Sequence, residues 1–150
     1  MTGFDAVVIG ASAGGVAALF TVLGSLPQGF AVPVLCVLHL PDDRHSQLAE
    51  VLQRKVQRPV LEARDKALIE PGLIYVAGPA YHLSVEQDFS LSLSQEEPVH
   101  FSRPAIDFLF TSAADAYRQR LLGVLLTGAN EDGACGLAYI KQCGGRTVVQ

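Results

Sequence analysis

The chain has 150 residues, of which 49% are hydrophobic, with a mean hydropathy of +0.30 and a formal net charge of −4. This length and apolar content suffice for one substantial core and so predict a single domain. The negative charge and the lack of a long Lys/Arg run argue against nucleic-acid binding. The longest apolar runs, near 32–40 and 121–126, are far shorter than the roughly 20 residues that span a bilayer. With no signal-type segment at the start, we expect a cytoplasmic protein without membrane insertion.

Apolar strand-like runs alternate with segments of helical period, and Gly or Pro marks most of the joints. The first half predicts, in order, a strand near 5–10, a helix near 14–25, a strand near 32–39, a helix near 45–56, and strands near 59–62 and 73–77. Apolar residues then recur at every second position between 82 and 94, around the turn Glu86-Gln87-Asp88, which predicts an antiparallel hairpin with one buried face. A helix near 104–118, a strand near 121–126, a helix near 134–142 and a strand from 147 follow. The predicted fold class is α/β, with a doubly wound, mostly parallel, Rossmann-like three-layer sheet and a small antiparallel hairpin.

The three cysteines, Cys36, Cys135 and Cys143, form no CxxC pair. We expect them to pack as small apolar residues in a reducing cytoplasm. The few histidines and cysteines show no metal-ligand spacing, so no metal and no cofactor are expected.

The turn after the first strand has the pattern Gly-x-Ser-x-Gly, with Gly10, Ser12 and Gly14. Because glycine has no Cβ, the chain can turn sharply there and the helix can lie close to the strand, which leaves the Ser12 hydroxyl exposed. The helix N-terminus that follows offers amides to an oxyanion or a phosphate. Two interpretations are open at this point: Ser12 is a nucleophile, or the segment is a phosphate-binding turn of a dinucleotide fold.

Three strands end next to residues that could carry chemistry. The first strand ends at Ser12, the second at His39, and the strand near 121–126 leads into a loop that contains Asp132. Because ligands of open parallel sheets bind outside the carboxyl ends of the strands, we expect these side chains to meet at one edge. A hydroxyl, an imidazole and a carboxylate are the groups of a Ser-His-Asp triad.

Each of these residues also has a structural interpretation. His39 is explained equally by a strand-end histidine bonded to a backbone carbonyl, and Asp132 by the N-cap of the helix after it. The dinucleotide interpretation requires an acidic residue at the end of the second strand, where this chain has His39. The combination of the three residues therefore favours a triad.

Four ordered segments resemble the catalytic domain of the bacterial chemotaxis protein-glutamate methylesterase, CheB. They are Gly-Ala-Ser-Ala-Gly-Gly at 10–15, Leu-His-Leu-Pro at 38–41, Arg-Pro-Ala-Ile-Asp-Phe-Leu-Phe at 103–110, and Leu-Thr-Gly-x-x-x-Asp-Gly-Ala-x-Gly at 126–136. The resemblance covers essentially the whole chain. It implies a serine hydrolase that removes methyl esters from glutamates of methylated chemoreceptor cytoplasmic domains, releases methanol, and deamidates receptor glutamines as a related activity.

By position, the resemblance implies that Ser12 is the nucleophile, His39 the general base and Asp132 the orienting carboxylate. Backbone N–H groups of Ala13 and Ala129 are the candidates to hold the oxyanion. Two further candidates, Arg103 and His82, would line the site or contact an acidic receptor surface. A solvated arginine and a structural histidine are the alternatives for those two.

The chain departs from the family pattern in four places. It has Ala13 where the family often has threonine, and Ala129-Asn130 where the family usually has Met-Gly. Because the sequence begins on the first predicted strand, we expect no N-terminal receiver domain, which is common in the family; because it stops on an apolar strand, we expect truncation at the C-terminal end. An uncovered surface there would favour homo-oligomer formation or lower stability.

Two other classes of function stay open at this stage. One is a catalytically silent module of the same fold that binds a receptor or a signalling partner. The other is a nucleotide-binding domain, which His39 disfavours.

Overall fold

The computed structural model describes residues 3–39, 47–126 and 131–150 of the chain. Eight strands are present in these ranges: β1 (Ala6–Ala11), β2 (Val34–Leu38), β3 (Val60–Glu62), β4 (Ile74–Val76), β5 (His82–Val85), β6 (Leu91–Ser94), β7 (Leu121–Leu126) and β8 (Arg146–Val149). The α-helices there are α1 (Val16–Gly24), α2 (Leu48–Val56), α3 (Ile106–Tyr117) and α4 (Ala134–Gln142). Short 3-10 turns span Ala13–Gly15 and Arg118–Arg120. The described elements match the predicted elements in type and order.

Six strands form one sheet in the order β3-β4-β2-β1-β7-β8, and all the paired neighbours are parallel. Strand β1 is central, because it pairs with β2 on one side and with β7 on the other. Its residues are all buried, as expected for a parallel strand that is covered on both faces. From β1 the sheet extends to β2, β4 and β3 on one side and to β7 and β8 on the other, so it is doubly wound and the predicted fold class is confirmed.

Helices cover both faces of the sheet. On one face, Leu19 and Leu23 of α1 pack with Leu48 and Leu52 of α2 over the apolar side chains of the central strands. On the other face, α3 contributes an apolar stripe that includes Leu109 and Phe110, together with Ile140 of α4. The result is a three-layer arrangement whose central strands all end at the same edge.

The hairpin of β5 and β6 is antiparallel, with His82 opposite Ser94 and Val85 opposite Leu91. The prediction of a hairpin is confirmed, but the prediction of a single buried face is wrong for β5, whose four residues are all buried. The reason is that α3 covers the face that carries His82, whose ring stacks on Phe108 at a centroid distance of 4.2 Å. The same helix also contacts the edge of β5, where Val85 N donates to Ser112 Oγ at 3.0 Å. The hairpin is therefore part of the layer that contains α3.

Some predictions fall on residues that lie outside the described ranges. These are the first residues of the helix predicted near 45–56 and the loop at 127–130, which includes Ala129 and Asn130. Cys36 and Cys143 are buried as predicted, whereas Cys135 is exposed on α4, so the prediction of core packing is wrong for that cysteine. None of the helices within the described part of the chain is long and apolar enough to cross a membrane.

Candidate active site

The three neighbouring strands β2, β1 and β7 carry the predicted triad at their carboxyl ends. Ser12 follows β1 directly and precedes the 3-10 turn Ala13–Gly15, whose Gly15 N donates to Ser12 O at 2.8 Å. His39 follows β2, and its N–H donates to Ala11 O at 2.9 Å, which extends the β1–β2 ladder by one residue. This register brings the residue after β2 next to the residue that precedes Ser12.

His39 and Asp132 form a close polar pair. His39 Nε2 lies 2.7 Å from Asp132 Oδ2. The side chain of His39 is 15% exposed and that of Asp132 is fully buried. A carboxylate sealed behind a partly accessible imidazole can fix the tautomer of the ring and stabilise an imidazolium. The imidazole also supplies a hydrogen-bond partner, which a buried carboxylate requires.

Asp132 also accepts two hydrogen bonds from the start of α3. Ile106 N donates to Oδ2 at 2.6 Å and Asp107 N donates to Oδ1 at 2.8 Å. These amides belong to the first turn of a helix, where intrahelical partners are lacking and the helix dipole favours a negative charge. Asp132 is therefore not the N-cap of the helix that follows it. That N-cap is Gly133, and Asp132 caps α3 from a distant part of the chain.

Asp107 makes the reciprocal contacts. Its Oδ1 accepts from Gly133 N at 3.0 Å and from Gly136 N at 2.6 Å, both at the start of α4. Asp107 is only 7% exposed, on a helix face that is otherwise apolar. Asp132 thus caps the helix that contains Asp107, and Asp107 caps the helix that begins just after Asp132.

The structure also separates the roles of the two motif glycines. A Cβ at Gly10 would lie 2.4 Å from Cγ2 of Ile106, so Gly10 is needed for close approach of α3 to β1. A Cβ at Gly14 would meet only Ser12 Oγ, at 3.9 Å, which is an ordinary contact. The sequence prediction assigned both glycines to the turn. For Gly10 the packing of Ile106 supplies a sufficient reason.

His82 does not line the site, and this expectation is corrected. The residue is fully buried; its Nε2 lies 2.9 Å from Glu97 O, and its Nδ1 accepts from Ala105 N at 3.2 Å. The ring stacks on Phe108 at a centroid distance of 4.2 Å. With both nitrogens engaged by the backbone, His82 is the structural histidine of the alternative interpretation.

Arg103 is held against the segment that precedes it. Its Nη1 donates to Gln95 O at 3.1 Å and to Glu96 O at 3.2 Å. The arginine is therefore not a freely solvated side chain, and its contact with a receptor stays a prediction. Of the two oxyanion candidates, Ala13 opens the 3-10 turn after Ser12, whereas Ala129 lies outside the described residues.

One histidine near the site was not predicted. His100 Nε2 lies 3.3 Å from Asp107 Oδ2, and His100 Nδ1 lies 3.3 Å from Glu131 Oε2. The sequence offered one signal for the contact between His100 and Asp107: an aspartate on the buried face of the helix near 104–118, among residues expected to be apolar.

Among the described residues, no cluster of three or more His, Cys, Asp or Glu is arranged to hold a metal ion.

The structure thus places a histidine–carboxylate pair and a serine that precedes a helical turn at the carboxyl edge of one doubly wound sheet, where such sheets bind their ligands. The family model described as CheB methylesterase matches residues 7–150. A putative protein-glutamate methylesterase/protein-glutamine glutaminase of Leptospira interrogans is 45% identical over 147 residues, which are 98% of this chain and 76% of that protein. The protein-glutamate methylesterase FrzG of Myxococcus xanthus is 37% identical over 147 residues, 98% of this chain and 44% of that protein.

A solved structure of the same family has a similar fold. The crystal structure of the Thermotoga maritima CheB methylesterase catalytic domain is similar with a TM-score of 0.89 and 32% sequence identity, over 96% of this chain and 78% of that chain. The chain belongs to the CheB methylesterase family, and its fold is that of a CheB catalytic domain.

Proposed function

We propose that this chain hydrolyses methyl esters of glutamate side chains on chemoreceptor cytoplasmic domains and deamidates receptor glutamines at the same site. The proposal assigns Ser12 as nucleophile, His39 as general base and Asp132 as the carboxylate that orients the base. The observation that carries it is the 2.7 Å contact between His39 Nε2 and Asp132 Oδ2, made at strand ends on either side of the strand that leads to Ser12. Relatives named protein-glutamate methylesterase/protein-glutamine glutaminase support the choice of substrate.

The first half of the reaction forms an acyl-enzyme. Ser12 Oγ attacks the ester carbonyl while His39 accepts the hydroxyl proton. Because Nε2 of His39 faces Asp132, we assign Nδ1 as the nitrogen that takes this proton. The tetrahedral intermediate then collapses as His39 returns the proton to the departing methoxide, and methanol leaves.

The second half returns the enzyme to its starting state. Water attacks the acyl-Ser12 carbonyl, His39 accepts a proton from the water, and the same proton goes to Ser12 Oγ when the acyl–oxygen bond breaks. With a glutamine substrate, ammonia replaces methanol as the leaving group, and the rest of the cycle is identical. Both routes leave a free glutamate carboxylate on the receptor.

The oxyanion needs donors that are aimed at it before it forms. We assign the backbone N–H of Ala13 to this role because Ala13 opens a helical turn directly after the nucleophile. The backbone N–H of Ala129 is the second candidate, from the loop that follows β7. Both donors are main-chain groups, so the alanine side chains are not required for them.

The test is methanol release from a methylated chemoreceptor, measured for the unmodified chain and for Ser12→Ala, His39→Gln and Asp132→Asn. We expect all three variants to lose at least about 10³-fold in kcat, as removal of triad members does elsewhere. Turnover that persists in Ser12→Ala would overturn the assignment of the nucleophile. If the unmodified chain binds the receptor and releases no methanol, the chain is a binding module instead.

A further inference from the structure

We propose that Asp107 is a positioning residue for the reaction: it fixes the carboxylate of Asp132, and through Asp132 the ring of His39. This inference rests on the proposed function, because it assigns a role toward the same catalytic pair. Asp107 does not touch the substrate in this proposal. Its main-chain N–H binds Asp132, and its side chain binds the N–H groups of Gly133 and Gly136; a substitution at position 107 removes only the side-chain contacts.

The first observation is that Asp107 holds Asp132 from two sides. The main-chain N–H of Asp107 donates to Asp132 Oδ1 at 2.8 Å. The side chain of Asp107 accepts from the N–H of Gly133, the residue directly after Asp132, at 3.0 Å. One residue therefore restrains both the carboxylate of Asp132 and the peptide that follows it. A rotation of the Asp132 side chain would break at least one of these bonds.

The second observation is that the two contacts leave Asp132 Oδ2 directed at His39. Oδ1 is taken by Asp107 N, and Oδ2 is shared by Ile106 N at 2.6 Å and His39 Nε2 at 2.7 Å. The orientation of the histidine thus depends on where the start of α3 holds the carboxylate. At metal sites, partners that orient a ligand change activity by about 10- to 100-fold when removed, and we expect an effect of similar size here.

The third observation is the burial of the second carboxylate. Asp107 is 7% exposed and Asp132 is 3% exposed. Two adjacent carboxylates in a poorly solvated region repel each other, so each needs its own donors. Each has two backbone amides of a helix N-terminus, and Asp107 also faces His100 Nε2 at 3.3 Å.

A simpler role has to be separated from this one, because Asp107 also caps α4. A residue that only caps a helix changes the free energy of unfolding and leaves the folded active site as it was. A positioning residue also changes kcat and the hydrogen bond between Asp132 and His39. The experiment therefore needs a signal from His39 that does not change when only the free energy of unfolding changes.

The experiment compares Asp107→Ala and Asp107→Asn with Ser112→Ala, measuring Tm, the kcat and KM for methanol release, and the proton NMR signal of the His39 ring N–H that faces Asp132. That signal is assigned by its loss in His39→Gln. Ser112→Ala is the matched control, because it removes a hydrogen bond from the same helix, to Val85 N, with no contact to Asp132.

For Asp107→Ala we expect a 10- to 100-fold loss of kcat, a KM within about twofold, and a shifted or broadened ring-proton signal. For Asp107→Asn, whose amide oxygen can still accept from Gly133 and Gly136, we expect kcat within about threefold and the signal restored. Ser112→Ala should lower Tm while kcat and the signal stay unchanged.

If Asp107→Ala lowers Tm while kcat and the ring signal match those of the unmodified chain, Asp107 is a helix cap only and the proposal is overturned. Where Asp107→Ala does not fold, Asp107→Thr, which keeps one short acceptor, takes its place with the same expected split between kcat and KM. The NMR readout does not depend on turnover, so it tests Asp107 even if the unmodified chain releases no methanol.

Discussion

A Cβ built on Gly10 would lie 2.4 Å from Cγ2 of Ile106, closer than non-bonded carbon atoms approach in folded proteins. Gly10 lies in β1, two residues before Ser12, and Ile106 is the first residue of α3. The contact sets how closely the helix approaches the central strand. It gives Gly10 a packing role in the interior, whereas Gly14 of the same motif is exposed.

The first prediction concerns this pair of glycines. Gly10→Ala should lower the free energy of unfolding by about 1–3 kcal/mol, because an extra carbon in a filled interior forces Ile106 or α3 to move. Gly14→Ala is the control and should change it by less than about 1 kcal/mol, because a Cβ there meets only Ser12 Oγ at 3.9 Å. Urea unfolding measures both. Equal losses for the two variants would contradict the packing role of Gly10.

The second prediction separates stability from catalysis in the polar pair. Asp132→Ala should remove activity and also lower the free energy of unfolding by about 2–4 kcal/mol, because Ile106 N and Asp107 N lose their buried acceptor. His39→Gln should remove activity with a loss of about 1 kcal/mol or less, since both amides keep their partner. Thermal unfolding and methanol release, measured on the same samples, check this. A larger Tm loss in the His39 variant would refute it.

The third prediction concerns His82. Replacement by alanine should lower the free energy of unfolding by about 2–4 kcal/mol. It removes a fully buried ring that stacks on Phe108, and Ala105 N and Glu97 O each lose their hydrogen bond to a ring nitrogen. Circular dichroism during denaturation gives the value. Tyr81→Ala is a control from the adjacent position, where the side chain is 41% exposed, and should cost much less. Similar values for the two variants would exclude a structural role for His82.

The fourth prediction concerns the thiols. Cys135 is exposed, whereas Cys36 and Cys143 are buried, and burial raises the pKa of Cys36 to about 12. Because the thiolate is the reactive species, Cys36 should be inert toward a disulfide reagent at neutral pH. We expect one thiol per native chain to react rapidly, none in Cys135→Ser, and three after unfolding. Rapid labelling of native Cys135→Ser would show that the core opens more readily than its packing indicates.

Much of the fold could be predicted because its signals are local. The continuous apolar run that forms β7 and the segment that forms α4 were predicted with the same bounds as in the structure, 121–126 and 134–142. The burial of β5 on both faces was missed because alternation along a strand indicates an exposed face unless another element covers it. Here α3 covers that face, and no local pattern encodes the contact.

The candidate triad could be predicted from the topology of the sheet but not from the spacing of its residues in the sequence. Ser12, His39 and Asp132 are far apart in the sequence, and only the rule that strand ends meet at one edge brought them together. Asp107 was missed because it caps a helix 26 residues further along the chain, whereas capping signals in a sequence are local. His82 was a candidate for the site with a structural histidine as the alternative, and its burial and backbone partners, which no local pattern encodes, favour the alternative.

Ile106 belongs to the hydrophobic interior and to the polar pair at once. Its side chain packs over Gly10, its N–H donates to Asp132 at 2.6 Å, and its Cγ2 would lie 3.3 Å from a Cβ on Gly133. The side chain of Ile106 thus sets the distance between the strand that leads to Ser12 and the segment that contains Asp132. In a library that varies this position among apolar residues, selection for folding and selection for turnover would retain different members. We therefore expect the shape of the side chain at position 106 to affect turnover as well as folding, although it carries no reactive group.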